Sequence, residues 1–310
     1  MSAPVISVVI VNWNSGPHLA ALLDSLAAQP AEPSWQAVVV DNASTDGSAE
    51  LGQRAGVRVI RQSTNTGLAA ANNIGMAATD CPYILIANPD VVLPDNALAN
   101  MVAVMQRHPR AAWVVPRLVS PDGTIQTSAG DLPALNEAFL GRRLGSRWAG
   151  RDQPALEGRG YWWHGWPHTT EQPIGRGAEA CFLVRRAAVE EIGPQDPRYR
   201  LDWEGVEWTA RARAAGWEVW LDPATTVIHV GGVSISQARL RWVVESHVGM
   251  YRYFAGRMRP AARPLLAAAV AGRALAKLGA TLLGAPLYDR AHRVGAGSHP
   301  GAGRAGRVAP

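Results

Sequence analysis

Val5-Ile6-Ser7-Val8-Val9-Ile10-Val11 is a near-continuous run of β-branched residues. A half-exposed strand alternates apolar and polar side chains. This run does not, so it predicts a strand buried on both faces. Pro17 then opens a helix, because a first turn does not need its missing N–H. Leu19, Leu22, Leu23 and Leu26 recur at helical spacing and form one apolar stripe. Residues 37–40 repeat the buried-strand pattern and 57–60 form a short third strand. A small-residue helix over 67–78, a strand at Tyr83–Ala87, a helix over 96–106 and a strand at 113–115 follow. Strand and helix alternating at this spacing imply right-handed βαβ units and a parallel sheet. Ligands of such sheets sit beyond the carboxyl ends of the strands. That rule selects residues 12–14, 41–46 and 88–90.

Residues 119–175 are rich in Gly, Pro, Arg and Trp, with little periodicity. So long a loop-rich stretch in a compact protein is usually functional or mobile. Regular patterns resume as a strand at 181–184, helices at 187–192 and 206–215, and a strand at 217–221. Leu240 onward reads as helical. Residues 295–310 are Gly, Ala, Arg and Pro, a disordered composition. There is no internal repeat.

With 310 residues, 47% hydrophobic and 18% charged, the chain has enough apolar material for a sizeable core and is not of disordered composition. Cys81 and Cys181 are its two cysteines, which rules out a disulfide framework and a CxxC metal site. No basic n-region precedes the first apolar run, so no signal peptide is expected. No uncharged apolar run reaches the ~20 residues of a membrane span; the best stretch, residues 265–283, is interrupted by Arg273 and Lys277. The net charge of +5 is uneven. Residues 238–310 carry 12 basic and two acidic side chains, +10, leaving −5 on residues 1–237. A basic end on an acidic body suggests an anionic partner. Genomic bias toward arginine, with 29 Arg among 30 basic residues, is the plainer explanation.

Four stretches carry possible chemistry. Asp41-Asn42-Ala43-Ser44-Thr45-Asp46-Gly47 follows a buried strand; its first carboxylate can accept from a base N–H or a ribose hydroxyl, or the segment is only a capped turn. Asn88-Pro89-Asp90 can present one carboxylate to Mg²⁺ or Mn²⁺, with a diphosphate completing the shell, or form an ordinary turn. Leu201-Asp202-Trp203-Glu204-Gly205-Val206-Glu207-Trp208 sets acids among tryptophans. That combination desolvates a general base and offers faces to sugar rings, or else marks an acidic helix N-terminus with core tryptophans. His229, beside Gly231 and Gly232, is a metal ligand or a structural histidine. Neither a GxxxxGK[ST] nor a GxGxxG motif after the first strand is present, so P-loop and dinucleotide-binding readings lose support.

Taken together, these blocks resemble family 2 inverting glycosyltransferases of the GT-A fold. The resemblance runs through residues 8–14, 40–48, the block Asn65-Thr66-Gly67-Leu68-Ala69-Ala70-Ala71-Asn72-Asn73-Ile74-Gly75, and Asn88-Pro89-Asp90-Val91, a variant of the DXD motif. It continues in Gly177-Ala178-Glu179-Ala180-Cys181-Phe182-Leu183-Val184-Arg185-Arg186, in residues 203–211 and 214–217, and in Val227-Ile228-His229. It covers about residues 5–255 and is nearest to bacterial rhamnosyl- and galactofuranosyltransferases of cell-envelope polysaccharide.

The resemblance implies an α/β GT-A fold with a mostly parallel central sheet flanked by helices and a C-terminal helical extension. Residues 1–118 would bind the nucleotide sugar and 119–237 the acceptor; 238–294 would be a basic helical extension and 295–310 a disordered tail. Val11, Asn12, Asp41, Asn73 and Asn88 would line the nucleotide-sugar pocket. Asp90 and His229 would hold Mg²⁺ or Mn²⁺. Trp203 and Trp208 would stack on sugar or acceptor. The family places its base at the second acid of an Glu-Asp or Asp-Asp pair, and this chain has Gly205 there. Glu204 is then the expected base, with Asp202 and Glu207 as alternatives. The implied partners are a UDP- or dTDP-linked sugar, a glycan or lipid-linked acceptor and an anionic membrane surface, with a cytoplasmic location at the inner face of the cell membrane. Gly205 also admits a non-catalytic nucleotide-sugar binder. Nucleic acid is not expected, because the basic residues are confined to the tail and no RNP-like or zinc motif accompanies them.

Overall fold

The computed structural model describes residues 5–284, except 55, 137, 138, 140–162, 164, 165, 167 and 233–235. The expected tail over 295–310, the end of the basic extension and much of the loop-rich stretch lie outside the described residues.

The elements in chain order are β1 (Ile6–Asn12), α1 (Gly16–Ala27), β2 (Trp35–Asp41), α2 (Ser48–Leu51), β3 (Val57–Arg61), α3 (Leu68–Ala77), β4 (Tyr83–Ala87), β5 (Val91–Val92), α4 (Ala97–Arg107) and β6 (Ala111–Val119). After them come β7 (Ala129–Gly130), β8 (Gln172–Ile174), β9 (Arg176–Gly177), β10 (Cys181–Arg185), α5 (Arg186–Ile192), α6 (Glu204–Ala214) and β11 (Glu218–His229). Two helices, α7 (Arg239–Ala255) and α8 (Arg263–Leu282), follow.

The central sheet has the order β3-β2-β1-β4-β10-β6-β11-β5, with β8 also on β11. β1 pairs parallel with β2 and β4, and β2 with β3, as the alternation requires. Ile6, Val8, Val9 and Ile10 are all fully buried, so the unbroken apolar run is a central strand covered on both faces. The α1 stripe of Leu19, Leu22, Leu23 and Leu26 is buried against it. The small residues of α3 have a steric cause: a Cβ on Gly75 would lie 2.3 Å from Val9 Cγ1. Cys81 and Cys181 are free and buried.

Two features go beyond the sequence pattern. β10 runs antiparallel between β4 and β6. Its first residue, Cys181, therefore faces the last residue of β4, Ala87. The segment before β10 is thereby delivered to the carboxyl edge of the sheet. In addition, the strand expected at 217–221 does not stop at Asp222-Pro223. A register shift between Asp222 and Thr226 absorbs the interruption, and Asp222 Oδ1 accepts from the N–H groups of Ala224 (2.9 Å) and Thr225 (3.2 Å). β11 thus reaches His229, which pairs with Val91 of β5.

Candidate active site

On the donor side, Asn12 ends β1 and Asp41 ends β2. Asn12 Nδ2 donates to Asp41 Oδ1 and to Ser48 Oγ, both at 2.8 Å. Asp41 Oδ2 accepts from the Ser44 N–H at 3.2 Å. Asn42 Oδ1 accepts from the Thr66 N–H at 2.9 Å, which ties this turn to the one entering α3. Val11, Asn12 and Asp41 therefore meet at the sheet edge, and Asp41 also performs the turn-capping role. Asn73 does something else. It donates from Nδ2 to Gln195 O (2.7 Å) and accepts from Gln195 N–H (3.0 Å), so its amide joins α3 to the segment before α6.

Asn88-Pro89-Asp90 leaves β4, and the Asn88 N–H donates to Ala180 O at 2.7 Å. Asp90 is buried and accepts from the Gly231 N–H at Oδ2 (3.0 Å). Its Oδ1 lies 3.6 Å from His229 Nε2. Sequence reasoning missed Gln126, which fixes that histidine. Gln126 Nε2 donates to His229 O (2.7 Å) and Ser120 Oγ (3.0 Å). A carbonyl can only accept, so the amide nitrogen must face it, and Gln126 Oε1 receives His229 Nδ1–H at 2.8 Å. Nδ1 carries the proton and the Nε2 lone pair faces Asp90. Burial pushes the His229 pKa down against the opposing pull of Asp90, which keeps the ring neutral. A lone pair facing a carboxylate oxygen with no proton between them suits a divalent cation bound by one oxygen and one nitrogen. Among the described residues no third His, Cys, Asp or Glu joins them. The remaining positions would fall to diphosphate oxygens and water.

The acids at the start of α6 are not alike. Glu207 accepts from Arg211 Nε at 2.9 Å one helical turn along, an ordinary i,i+4 pair. Asp202 is an exposed residue at φ 81°, in the turn before the helix. Glu204 is 3% exposed and accepts from the Trp203 N–H at 3.0 Å. Burial, with Glu179 adding to it, pushes its pKa well up. The space beside Gly205 is not filled by Glu204. A Cβ at Gly205 would lie 1.9 Å from Glu179 Cδ and 2.1 Å from its Oε2. Glu179, in the segment between β9 and β10, accepts from the Gly205 N–H at 3.1 Å. Its Oε1 is 3.5 Å from Arg176 Nη2.

The expected stacking role of Trp203 and Trp208 is corrected by their burial. Trp208 stacks on Trp113 with ring centroids 4.7 Å apart and donates from Nε1 to Gly193 O. Trp203 packs on Tyr253 and Phe254, and Gly249 of α7 is small because a Cβ there would come 2.8 Å from its ring. Both rings are core, as indole area beneath an amphipathic helix usually is.

Solved structures similar to this chain share its architecture. A mannosyltransferase from Pyrobaculum calidifontis, in complex with GDP-Man and Mn²⁺, aligns at TM-score 0.53 and 16% identity over 92% of this chain and 77% of its own. GalNAc-T7 with UDP, GalNAc and Mn²⁺ aligns at TM-score 0.53 and 18% identity; this chain spans 73% of its own length and 43% of that protein. The fold is that of GT-A glycosyltransferases. Residues 7–193 match the family described as Glycosyl transferase family 2. The chain belongs to that family and is a glycosyltransferase. Among curated proteins it is 29% identical, over 82% of this chain and 85% of the relative, to N-acetylglucosaminyl-diphospho-decaprenol L-rhamnosyltransferase of Mycobacterium tuberculosis. It is also 25% identical to the O-antigen biosynthesis protein RfbC of Myxococcus xanthus, over 73% of this chain and 17% of that much longer protein.

Proposed function

We propose that this glycosyltransferase moves a sugar, with inversion, from a UDP- or dTDP-linked donor to a hydroxyl of a lipid-linked glycan in cell-envelope polysaccharide synthesis. The observation that carries the reading is the convergence of Asp90 and a tautomer-fixed His229 at the edge where Asn12 and Asp41 also end. Val11, Asn12 and Asp41 hold the nucleoside, and Asn88 flanks the diphosphate. Asp90 and His229 are the ligands of Mg²⁺ or Mn²⁺. When bound, the cation supplies positive charge against the charge developing on the departing diphosphate. The acceptor hydroxyl enters from the side of residues 119–237, where α6 begins. The lipid-linked acceptor and an L-rhamnosyl donor are supported by the name of the mycobacterial relative.

The basic extension fits the same reading. Helix α8 packs on α7 through Leu266 and Val270, while Leu265, Leu275, Leu282 and Leu283 are exposed. Residues 260–282 are long and apolar enough to cross a membrane by length and composition. Arg273 and Lys277 turn toward α7, where Lys277 Nζ lies 4.2 Å from the Trp242 ring centroid. The outer face is therefore apolar, with exposed Arg257, Arg259 and Arg263 at the entrance to α8. That combination suits a helix lying in the interface of an anionic membrane.

Titration calorimetry with a panel of UDP- and dTDP-sugars, with and without Mn²⁺, tests the donor site. Wild-type protein should bind one nucleotide class at least about tenfold tighter with Mn²⁺. Asp90→Ala should lose that gain, and an unchanged Mn²⁺-dependent affinity in this variant would remove Asp90 from the site.

A further inference from the structure

We propose that Glu179 is the general base of the transfer reaction, supplied from the β9–β10 connection to the place that Gly205 leaves open. The proposal rests on the glycosyltransferase reading above and assigns a residue that reading leaves unassigned. The backbone at 205 lies where the family resemblance expects an acid, at the second residue of α6. In this chain the carboxylate there comes from another element. With Cδ 1.9 Å and the two oxygens 2.1 and 2.3 Å from a Cβ built on Gly205, Glu179 occupies the volume of the missing side chain. While the Glu179 carboxylate holds this place there is no room for a side chain at 205; admitting one requires the end of the Glu179 side chain to swing away.

The carboxylate is held on both sides: Oε2 accepts from the Gly205 N–H and Oε1 faces Arg176. Its side chain keeps 24% exposure, against 3% for Glu204 as a whole residue, so Glu179 is the more accessible of the two acids. Its neighbour Ala180 accepts the Asn88 N–H, which sets Glu179 one residue from the turn carrying Asp90. The antiparallel course of β10 is what brings it there. Trp113, Phe182 and Trp208 line a small cavity beneath it. That apolar floor removes water from the carboxylate, and burial pushes its pKa up to about 7, with Arg176 opposing and Asp202 adding to the rise. Glu204 is the more deeply buried of the two, and burial, with Glu179 adding to it, raises its pKa well above the ordinary carboxylate value.

The acceptor oxygen forms a bond to the anomeric carbon as its proton passes to a Glu179 oxygen. The bond from that carbon to the phosphate oxygen breaks, and its electron pair leaves with the nucleoside diphosphate. Glu179 then returns the proton to water.

The test compares Glu179→Gln, Glu204→Gln and wild type with UDP- and dTDP-sugars and a polyprenyl-diphospho-N-acetylglucosamine acceptor. Gln at 179 can still accept from Gly205. The expected result for Glu179→Gln is a kcat ~10²–10⁴-fold lower with nucleotide Kd within about twofold. Glu204→Gln should cost less than about tenfold. Wild-type kcat/KM should fall as pH drops below about 7, and that limb should vanish in Glu179→Gln. The groups facing Glu179 in this titration are Arg176, Asp202 and Glu204. A merely structural glutamate would instead lower Tm and nucleotide affinity together and leave the pH limb intact. Should Glu179→Gln fold poorly, Glu179→Gly combined with Gly205→Asp replaces it. Transfer at least about tenfold above Glu179→Gly alone supports the proposal, and no gain overturns it. Equal turnover of Glu179→Gln and wild type overturns this proposal alone; no transfer by wild type with any donor overturns the functional reading and the proposal with it.

Discussion

At the scale of the residue, the pair Glu179 and Glu204 stores an electrostatic cost that can be read by heat. Both acids have folded-state pKa values raised by burial. A raised pKa means the folded state favours the protonated form. Its contribution is fully present below the unfolded value of about 4.3 and is lost as pH rises through the folded value. Glu204→Gln keeps the size of the neutral acid and removes the titration. Its Tm should exceed that of wild type by about 2–5 °C at pH 8, and the difference should shrink toward pH 5. A Tm difference independent of pH would show that Glu204 is not buried as a titrating acid. The tryptophans beside them carry a second lesson. An acidic-aromatic cluster was open to a stacking reading or to a core reading, and burial chose the core for both rings.

At the scale of the element, α8 is the segment whose surroundings decide its role. Its inward face carries Leu266, Val270, Arg273 and Lys277, so both charges are spent on α7. Its outward face carries Leu265 and Leu275, exposed at 77% and 70%. Attachment to a membrane would therefore be mainly apolar, with arginines at the helix entrance adding ~1 kcal/mol each near an anionic surface. Leu265→Glu with Leu275→Glu should reduce co-sedimentation with anionic vesicles by about tenfold or more while leaving nucleotide affinity unchanged. Raising salt should weaken the wild type only in part, because screening acts on the charges and not on apolar burial. Equal sedimentation of wild type and the double variant would take α8 away from the membrane.

At the scale of the whole molecule, a buried histidine between β7 and β8 is a source of acid sensitivity. His168 is fully buried; its Nε2 accepts from the Ser128 N–H at 3.1 Å and its Nδ1 faces Trp166 O at 2.6 Å. The bond from Ser128 needs the neutral ring, because only then does Nε2 keep its lone pair; the Nδ1–H bond to Trp166 O survives protonation. Burial pushes its pKa down to about 4. A depressed folded pKa gives stability that is present above the unfolded value near 6.5 and is lost as pH falls toward about 4. Wild type should lose more than about 4 °C of Tm between pH 6.5 and 4.5 through this group. His168→Gln, which can still accept from Ser128, should be less stable at pH 7 and show a flatter profile in that window. Parallel profiles for the two proteins would locate the acid sensitivity elsewhere.

The first half of the fold is written in local pattern. A strand buried on both faces must be an unbroken apolar run, and a helix against it must carry a stripe, so Ile6–Asn12, Gly16–Ala27 and Tyr83–Ala87 were legible from local pattern. The rule that ligands lie at the carboxyl ends of parallel strands then placed Asn12, Asp41 and Asp90 at one edge. His229 at 229 and Asp90 at 90 meet only because β11 passes through a bulge and pairs with β5, and no local pattern encodes that pairing. The direction of β10 was equally invisible, since a buried apolar strand reads the same in either direction. That direction, with the lack of a side chain at Gly205, decides which acid reaches the site. Contacts such as Glu179 on Gly205 join residues 26 apart in sequence. They follow from chain reversal and excluded volume, and these exist only once the sheet has formed.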